Sequence, residues 1–219
     1  MKRIILTVLS TLFLTTSAFA VSIGLSGTAL YYDASGTETT KSSNQKNEKS
    51  ENGVVPMPSL FIENELDTGI VVGIDFVPAS AKAADFDNAR TDTDTDDASD
   101  TAGDNKVSAE LTSHTTLYLS KSVGGSGAYF KGGVAFATID TTENLATGTA
   151  YGNEDVTGIL VGVGFNRDRD NGTFLRTELT YSDYEEVKFT GSADADGVKN
   201  VIDADIDAIA FRVSLGKAF

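Results

Sequence analysis

The sequence contains no cysteine, no tryptophan, three prolines and a single histidine in 219 residues. Without cysteine, an exported chain of this size cannot be a disulfide-stapled scaffold, so its stability must come from a large core or from a membrane. The scarcity of proline, the 21 glycines, the many threonines and valines and the lack of a strongly helical segment after the N-terminus together indicate an all-β chain.

Positive charge is also scarce. The 17 Lys and Arg residues stand against 32 Asp and Glu residues, which gives a formal net charge of −15. Because a surface that binds nucleic acid needs a positive footprint, we expect no nucleic-acid partner.

The N-terminus has the pattern of a secretory signal. Lys2 and Arg3 form a charged region, residues 4–14 an apolar core, and residues 18–20 read Ala-Phe-Ala, a small-x-small cleavage site. After residue 20 no segment approaches the roughly 18 consecutive apolar residues of a membrane-spanning helix. The pattern predicts a cleaved signal peptide over residues 1–20 and a mature domain over residues 21–219.

The last fifteen residues alternate with a period of two, and the chain stops on Phe219. Large apolar side chains fall on one face and small or polar ones on the other, as in a strand that touches lipid on one side and a narrow lumen on the other. The first face holds Ile209, Phe211, Val213, Leu215 and Phe219, and the second Ala208, Ala210, Arg212, Ser214 and Gly216.

The same period marks eight candidate strands in all. They cover residues 21–32, 57–66, 69–77, 107–120, 128–138, 156–166, 173–184 and 205–219. The connections are alternately long and short, with long ones at residues 33–55, 78–106, 139–155 and 185–204. The pattern predicts an eight-stranded antiparallel up-and-down transmembrane β-barrel with four long external loops and three short periplasmic turns. Strand four is the poorest, since Ser113 and Thr115 interrupt its apolar face, and we expect a β-bulge there.

These features resemble a known family. The signal pattern, the alternating strands, the segment LRTELTYSDY at residues 175–184 and the ending at residues 209–219 resemble the OmpX-like and opacity-type small outer-membrane β-barrel proteins of Gram-negative bacteria. The resemblance implies a monomer in the cell outer membrane, in contact with lipid and lipopolysaccharide. It also implies that the barrel-assembly machinery reads the terminal strand, with Phe219 as the assembly signal. The family includes adhesins, envelope-stabilising proteins and a few lipid-modifying enzymes, so the fold alone does not choose a function.

Several charged residues are expected to point into the barrel. Buried charges are costly unless paired, so we expect an ion-pair network that closes the lumen, with a gated conduit as the alternative. With Glu65 included, five acids outnumber three bases, which predicts hydrated or protonated carboxylates. The predicted network comprises Glu63, Asp75, Glu110, Lys131, Arg176, Glu178 and Arg212, with His114 beside it.

Two weaker signals concern metal binding and catalysis. Asp92, Asp94 and Asp96 are weak metal candidates, because the segment departs from an EF-hand loop and an acidic, hydrated loop is the favoured explanation. No catalytic motif surrounds His114, because Ser113 and Thr115 would point to the opposite face. We expect neither a cofactor nor catalysis.

The sequence therefore predicts an integral outer-membrane protein with a structural, adhesive or surface-recognition role and an extracellular ligand on its loops. Two alternatives stay open at this point. One is a narrow pore for small solutes, and the other is an exported soluble lipocalin-like binding protein, in which the larger apolar residues would face the lumen.

Overall fold

The computed structural model describes residues 21–40, 45–90, 103–144, 150–191 and 199–219. These residues form nine β-strands, and the three prolines lie in or between the second, third and fourth of them. The strands are β1 Val21–Thr40, β2 Gln45–Glu65, β3 Ile70–Phe76, β4 Ala81–Arg90, β5 Gly103–Ser122, β6 Ala128–Asn144, β7 Glu154–Asp168, β8 Thr173–Thr190 and β9 Val201–Ala218.

The strands close into an antiparallel up-and-down barrel. Consecutive strands from β5 to β9 pair with one another, β9 pairs with β1, and β1 pairs with β2. The ring closes because β3 pairs with β2 on one side and with β5 on the other. β4 continues β3 after a break at residues 77–80, so β3 and β4 together form one barrel strand. The count of eight barrel strands confirms the fold predicted from the sequence.

The two ends of the barrel differ. At the turn end, three short connections bend at glycines with positive φ, including Gly69 and Gly172, and the N–H of Phe219 bonds the carbonyl of Val21. At the opposite, loop end the strands run further than predicted: β1 continues to Thr40 and β2 begins at Gln45. Much of the predicted long connections is therefore strand, and Asp92, Asp94 and Asp96 lie outside the described residues.

Along the longer strands the apolar side chains pass from the outer face to the inner face towards the loop end. Within the membrane-facing part of β9, Ile209 and Phe211 point outward, whereas nearer the loop end Ile202 and Ile206 point inward and aspartates point outward. In β8 a bulge between Tyr184 and Val187 accompanies the same change. A search for apolar side chains on the outer face alone therefore ends where the strand leaves the lipid, although the strand itself continues.

Large apolar side chains cover the outside of the turn-side part of the barrel. Ile159 is 67% exposed and Phe211 is 53% exposed. A contiguous apolar surface of this extent is typical of contact with lipid. The soluble lipocalin-like alternative required these side chains in the lumen and is therefore wrong. Among the described residues, no helix has the length and hydrophobicity needed to cross a membrane.

A β-bulge in β5 changes which side chains reach the lumen. Ser113 has a φ of 53°, and the pairing with β6 shifts register between Thr112 and Thr115. The predicted bulge is thus confirmed, but its effect was missed. The extra residue reverses the alternation on its loop side, so Leu111 lines the interior. Glu110 therefore faces outward, opposite Asp140, and its predicted place in the interior network is wrong.

Several glycines in the lumen lie directly under aromatic rings. Glycine is needed at these positions because a Cβ would occupy the space of the ring. A Cβ at Gly164 would overlap the ring of Tyr129, whereas one at Gly132 would have only the carbonyl of Leu160 nearby, at 3.8 Å. We expect Gly164→Ala to lower the free energy of unfolding by about 1–3 kcal/mol through overpacking. Gly132→Ala is the matched control, and urea unfolding in detergent micelles measures both. Equal effects of the two variants would show that the ring does not need the space.

Candidate functional site in the barrel lumen

The lumen consists of two layers. The turn-side layer is polar and charged, and the loop-side layer is apolar and contains a cavity. The strands supply both layers through the same alternation, since every second side chain faces inward.

Glu63 and Arg176 form the first ion pair of the polar layer. Arg176 Nη1 contacts Glu63 Oε1, and Nη2 donates to Oε2 at 3.0 Å. The hydroxyl of Tyr118 also donates to Glu63 Oε1, at 2.7 Å. The guanidinium of Arg176 lies 4.8 Å from the centre of the Phe174 ring. This bidentate, stacked geometry fixes the arginine side chain across the lumen.

Asp75 and Arg212 form the second pair. Asp75 is fully buried, and Arg212 Nη1 lies 2.8 Å from its Oδ2 while Nη2 donates to Oδ1 at 3.1 Å. The hydroxyl of Ser59 donates to Asp75 Oδ2 at 2.8 Å, and Arg212 Nε donates to Thr28 Oγ1 at 3.1 Å. Both oxygens of the carboxylate thus have partners, as a buried charge requires.

Glu178 joins the third cation to the rest. Lys131 Nζ donates to Glu178 Oε1 at 2.9 Å, and the hydroxyl of Tyr129 donates to the same oxygen at 2.8 Å. Arg212 Nε lies 3.9 Å from Glu178 Oε2, which connects the second and third pairs. The Lys131 ammonium lies 3.8 Å from the centre of the Tyr118 ring. Because the Tyr118 hydroxyl donates to Glu63, this contact connects the third pair to the first.

The structure therefore brings together six of the seven predicted network residues. Three carboxylates face three cations, so the network balances its charge without extra protons. The predicted excess of acid in the lumen is wrong, because Glu110 faces outward and Glu65 is exposed at the end of β2. The sequence analysis did not name the neutral partners. Their side chains point inward because every second residue of a strand does, and each makes a hydrogen bond to a charged residue of the network. They are Thr28, Ser59, Tyr118 and Tyr129.

His114 connects the two layers. It is buried, and its Nε2 shares a hydrogen bond of 3.1 Å with the hydroxyl of Tyr184, whose side chain lines the apolar cavity. Ser113 lies on the exposed outer side of the bulge. The described residues therefore place no serine next to His114 in the way that a hydrolytic triad needs.

The apolar layer encloses a cavity of about 320 Å³. Its wall is formed mainly by aliphatic and aromatic side chains from β1, β2 and β5 to β9. This volume lies at the lower end of the range for small-molecule sites. Much of the wall lies in segments predicted as loops, which is why the sequence analysis missed the cavity. The wall includes Leu30, Val55, Leu111, Val156, Phe189 and Ile206.

Polar groups surround the mouth of the cavity. Tyr151, in the β6–β7 connection, lines the cavity, and its hydroxyl donates to Glu38 Oε1 on β1 at 2.7 Å. On the outer surface nearby, Lys188 Nζ lies 2.9 Å from Asp203 Oδ1, and this hydrogen bond raises the pKa of the Lys188 ammonium. Among the described residues, no group of three or more acidic or histidine side chains is placed to hold a metal ion.

Similar proteins are found by structure alone. No protein family matches the sequence, and no curated protein is detectably similar to it. The outer membrane protein OprG from Pseudomonas aeruginosa has a similar structure, with a TM-score of 0.58 and 16% identity, over 92% of this chain and 97% of OprG.

Two further solved structures are more distant. The outer membrane protease OmpT from Escherichia coli gives a TM-score of 0.50 and 8% identity, over 93% of this chain and 99% of OmpT. Neisserial surface protein A gives a TM-score of 0.36 and 10% identity, over 88% of this chain and 97% of that protein. The chain thus has the fold of the small outer-membrane β-barrels, as its resemblance to the OmpX-like proteins implied.

Proposed function

We propose that the protein is a non-enzymatic integral protein of the Gram-negative outer membrane that recognises small apolar molecules in the loop-side half of its barrel. The observation that carries this proposal is the apolar cavity of about 320 Å³ above a closed polar layer. A cavity walled by aliphatic and aromatic side chains favours apolar ligands, because it offers few partners to the polar groups of a sugar or a peptide.

The outer surface supports insertion in a membrane. The apolar side chains face outward on every barrel strand, and tyrosines such as Tyr31 and Tyr181 stand at its loop-side edge. Just beyond them, Asp33, Asp183 and Asp207 pair in register on neighbouring strands, where lipid headgroups begin. We also propose that the protein is a monomer, that its outer surface contacts lipopolysaccharide and that the barrel-assembly machinery recognises Phe219.

The polar layer argues against the alternative of a narrow pore. Three paired cations and three carboxylates cross the lumen, and an eight-stranded barrel leaves room for little more than its own side chains. We expect no steady conductance when the refolded protein is placed in a planar lipid bilayer. A stable open level that disappears in an Arg212 variant would favour the pore instead.

The arrangement around His114 supports a non-enzymatic role. The ring bonds Tyr184 inside the lumen, and Ser113 lies outside it. We expect no hydrolysis of phospholipid or lipopolysaccharide acyl esters by the refolded protein. Ester cleavage that His114→Gln abolishes would contradict this.

Filling the cavity tests the proposed ligand class. Ala204 lines the cavity, and Ala29 is a matched position on the exposed face of β1. In lipid nanodiscs, we expect Ala204→Phe to weaken binding of the fluorescent apolar probe 1-aminoanthracene at least tenfold, because the new ring occupies the ligand's space. We expect Ala29→Phe to leave the affinity unchanged. Saturable binding that is identical in both variants, or none above that of protein-free nanodiscs, would refute the proposed recognition of apolar molecules.

A further inference from the structure

Three cations stand on the outer face at the turn end of the barrel. Lys121, Arg167 and Lys217 are exposed and lie near the ends of β5, β7 and β9, three strands that run towards the turn end. Each follows an exposed apolar side chain of the same face by two positions, so it borders the apolar belt directly. We call the three cations the turn-side basic margin. The apolar side chains that precede them are Leu119, Phe165 and Leu215.

Neighbouring groups hold two of these cations at the edge of the belt. Lys121 Nζ donates to the carbonyl of Thr68 in the β2–β3 turn, and the Lys217 ammonium lies 5.8 Å from the centre of the Phe219 ring. A long basic side chain covers apolar surface with its stem and keeps its charge at the level of the lipid headgroups. Successive cations are two strands apart, about 10 Å around the barrel, so each can contact a different lipid.

The acidic residues of the turn end do not share the outer face with these cations. Asp67 and Asp170 lie in the turns, and Glu65 belongs to the inward row of β2. Asp168 accepts a hydrogen bond on the alternate face of β7. Among the described residues, the outer face of this margin therefore keeps a net positive charge, even after the terminal carboxylate of Phe219 offsets one cation.

The loop-side margin of the apolar belt has the opposite charge. One outward acid stands on β1 and on each strand from β5 to β9, and several of them are register partners on neighbouring strands. The cation Lys188 lies further towards the loops and is paired with Asp203. We call the six acids the loop-side acidic margin. They are Asp33, Glu110, Asp140, Asp155, Asp183 and Asp207.

We propose that the turn-side basic margin binds net-anionic phospholipids, with a headgroup of the phosphatidylglycerol type, in the leaflet that the turn end faces, and that the loop-side acidic margin excludes them. The cations meet the headgroup phosphates where the apolar belt ends. A zwitterionic phospholipid presents the same phosphate together with its own cation, so it gains less from this margin. The inference concerns the outer surface and does not depend on the cavity.

Quenching of a single tryptophan by brominated lipid tests this selection, since the natural chain has no tryptophan. Phe165→Trp, two residues before Arg167 on the same face, samples the turn-side margin, and Ile209→Trp, two residues after Asp207, samples the loop-side margin. The protein is refolded in vesicles with equal amounts of phosphatidylglycerol and phosphatidylcholine. Bromine on the acyl chains of one lipid or of the other quenches indole only at close range. The two quenching efficiencies give the local ratio of the lipids around each reporter.

At the Phe165→Trp reporter we expect phosphatidylglycerol to be enriched over phosphatidylcholine by at least about threefold, because each cation near a lipid surface favours an anionic headgroup by at least that factor. At the Ile209→Trp reporter we expect no enrichment or a depletion. The bulk ratio at both reporters, or equal enrichment at both, would overturn the proposal.

Charge variants identify the side chains responsible. In the Phe165→Trp reporter, we expect Arg167→Gln with Lys217→Gln to lower the enrichment at least twofold, whereas Arg167→Lys keeps it. Lys188→Gln is the matched control, because it removes an exposed cation away from the belt, and it should leave the enrichment unchanged. An unchanged enrichment in the folded double variant would overturn the assigned role of these cations.

A salt series gives a test that needs no charge variant. Raising the NaCl concentration to about 0.5 M should bring the enrichment at the Phe165→Trp reporter close to the bulk ratio, because salt screens exposed charges. If the double variant does not fold, this series decides, and an enrichment that persists at high salt would overturn the electrostatic selection.

Discussion

Asp75→Ala is expected to lower the free energy of unfolding by about 3–5 kcal/mol, because it leaves Arg212 buried without its main partner. Asp75 is fully buried and accepts hydrogen bonds from both Arg212 and Ser59. Arg212 would keep only Thr28 and the more distant Glu178. The measurement is urea-induced unfolding in lipid vesicles, followed by the heat-modifiable migration of the folded barrel in gels.

Two controls separate this effect from a general loss of charge. Asp183→Ala removes an exposed carboxylate and should change the free energy of unfolding by less than about 1 kcal/mol. The double variant Asp75→Ala with Arg212→Met should recover part of the stability, since an apolar replacement of both partners leaves no unpaired charge. A loss below about 1 kcal/mol for Asp75→Ala alone would mean that water replaces the carboxylate and that the polar layer is not closed.

Val161→Arg is expected to cost about 2–4 kcal/mol of unfolding free energy in a bilayer, because Val161 faces outward in the middle of the apolar belt. A guanidinium at that depth must leave water without gaining a partner. Folding into vesicles, followed by circular dichroism across a urea series, gives the free energy directly.

The position of the charge along the barrel axis provides the comparison. Glu185→Arg introduces the same group on the exposed loop-side part of the barrel and should change the free energy of unfolding by less than about 1 kcal/mol. If the two arginines had equal effects, the apolar belt would not lie in the hydrocarbon, and membrane insertion in the proposed position would be wrong.

The membrane-facing part of the fold was predictable because lipid requires an apolar side chain at every second position of each strand, with the residues between them facing the lumen. Ile159 and Val161 on β7 and Phe211 and Val213 on β9 each fall at every second position, and each lies on the outside as predicted. The same rule placed Arg176 and five other charged residues in the lumen, where they form one connected network.

The failures have local physical causes. The bulge at Ser113 adds one residue, so a strictly periodic reading placed Glu110 inside and Leu111 outside, the reverse of the structure. Beyond the lipid, the apolar side chains lie on the inner face of the strands. Val187 and Phe189 follow the β8 bulge and point inward, and their segment was predicted as a loop. The cavity could have been found by testing both phases of alternation in those segments.

The length of the strands has a consequence for what approaches the cell from outside. β1 has 20 residues, which corresponds to about 65 Å of extended chain, and at the usual tilt to about 50 Å of height. The hydrocarbon accounts for only about 25 Å of that height. In the proposed orientation the barrel therefore extends beyond the hydrocarbon on its loop side, and a large ligand such as an antibody or a phage fibre would contact the loop-side rim well above the lipid.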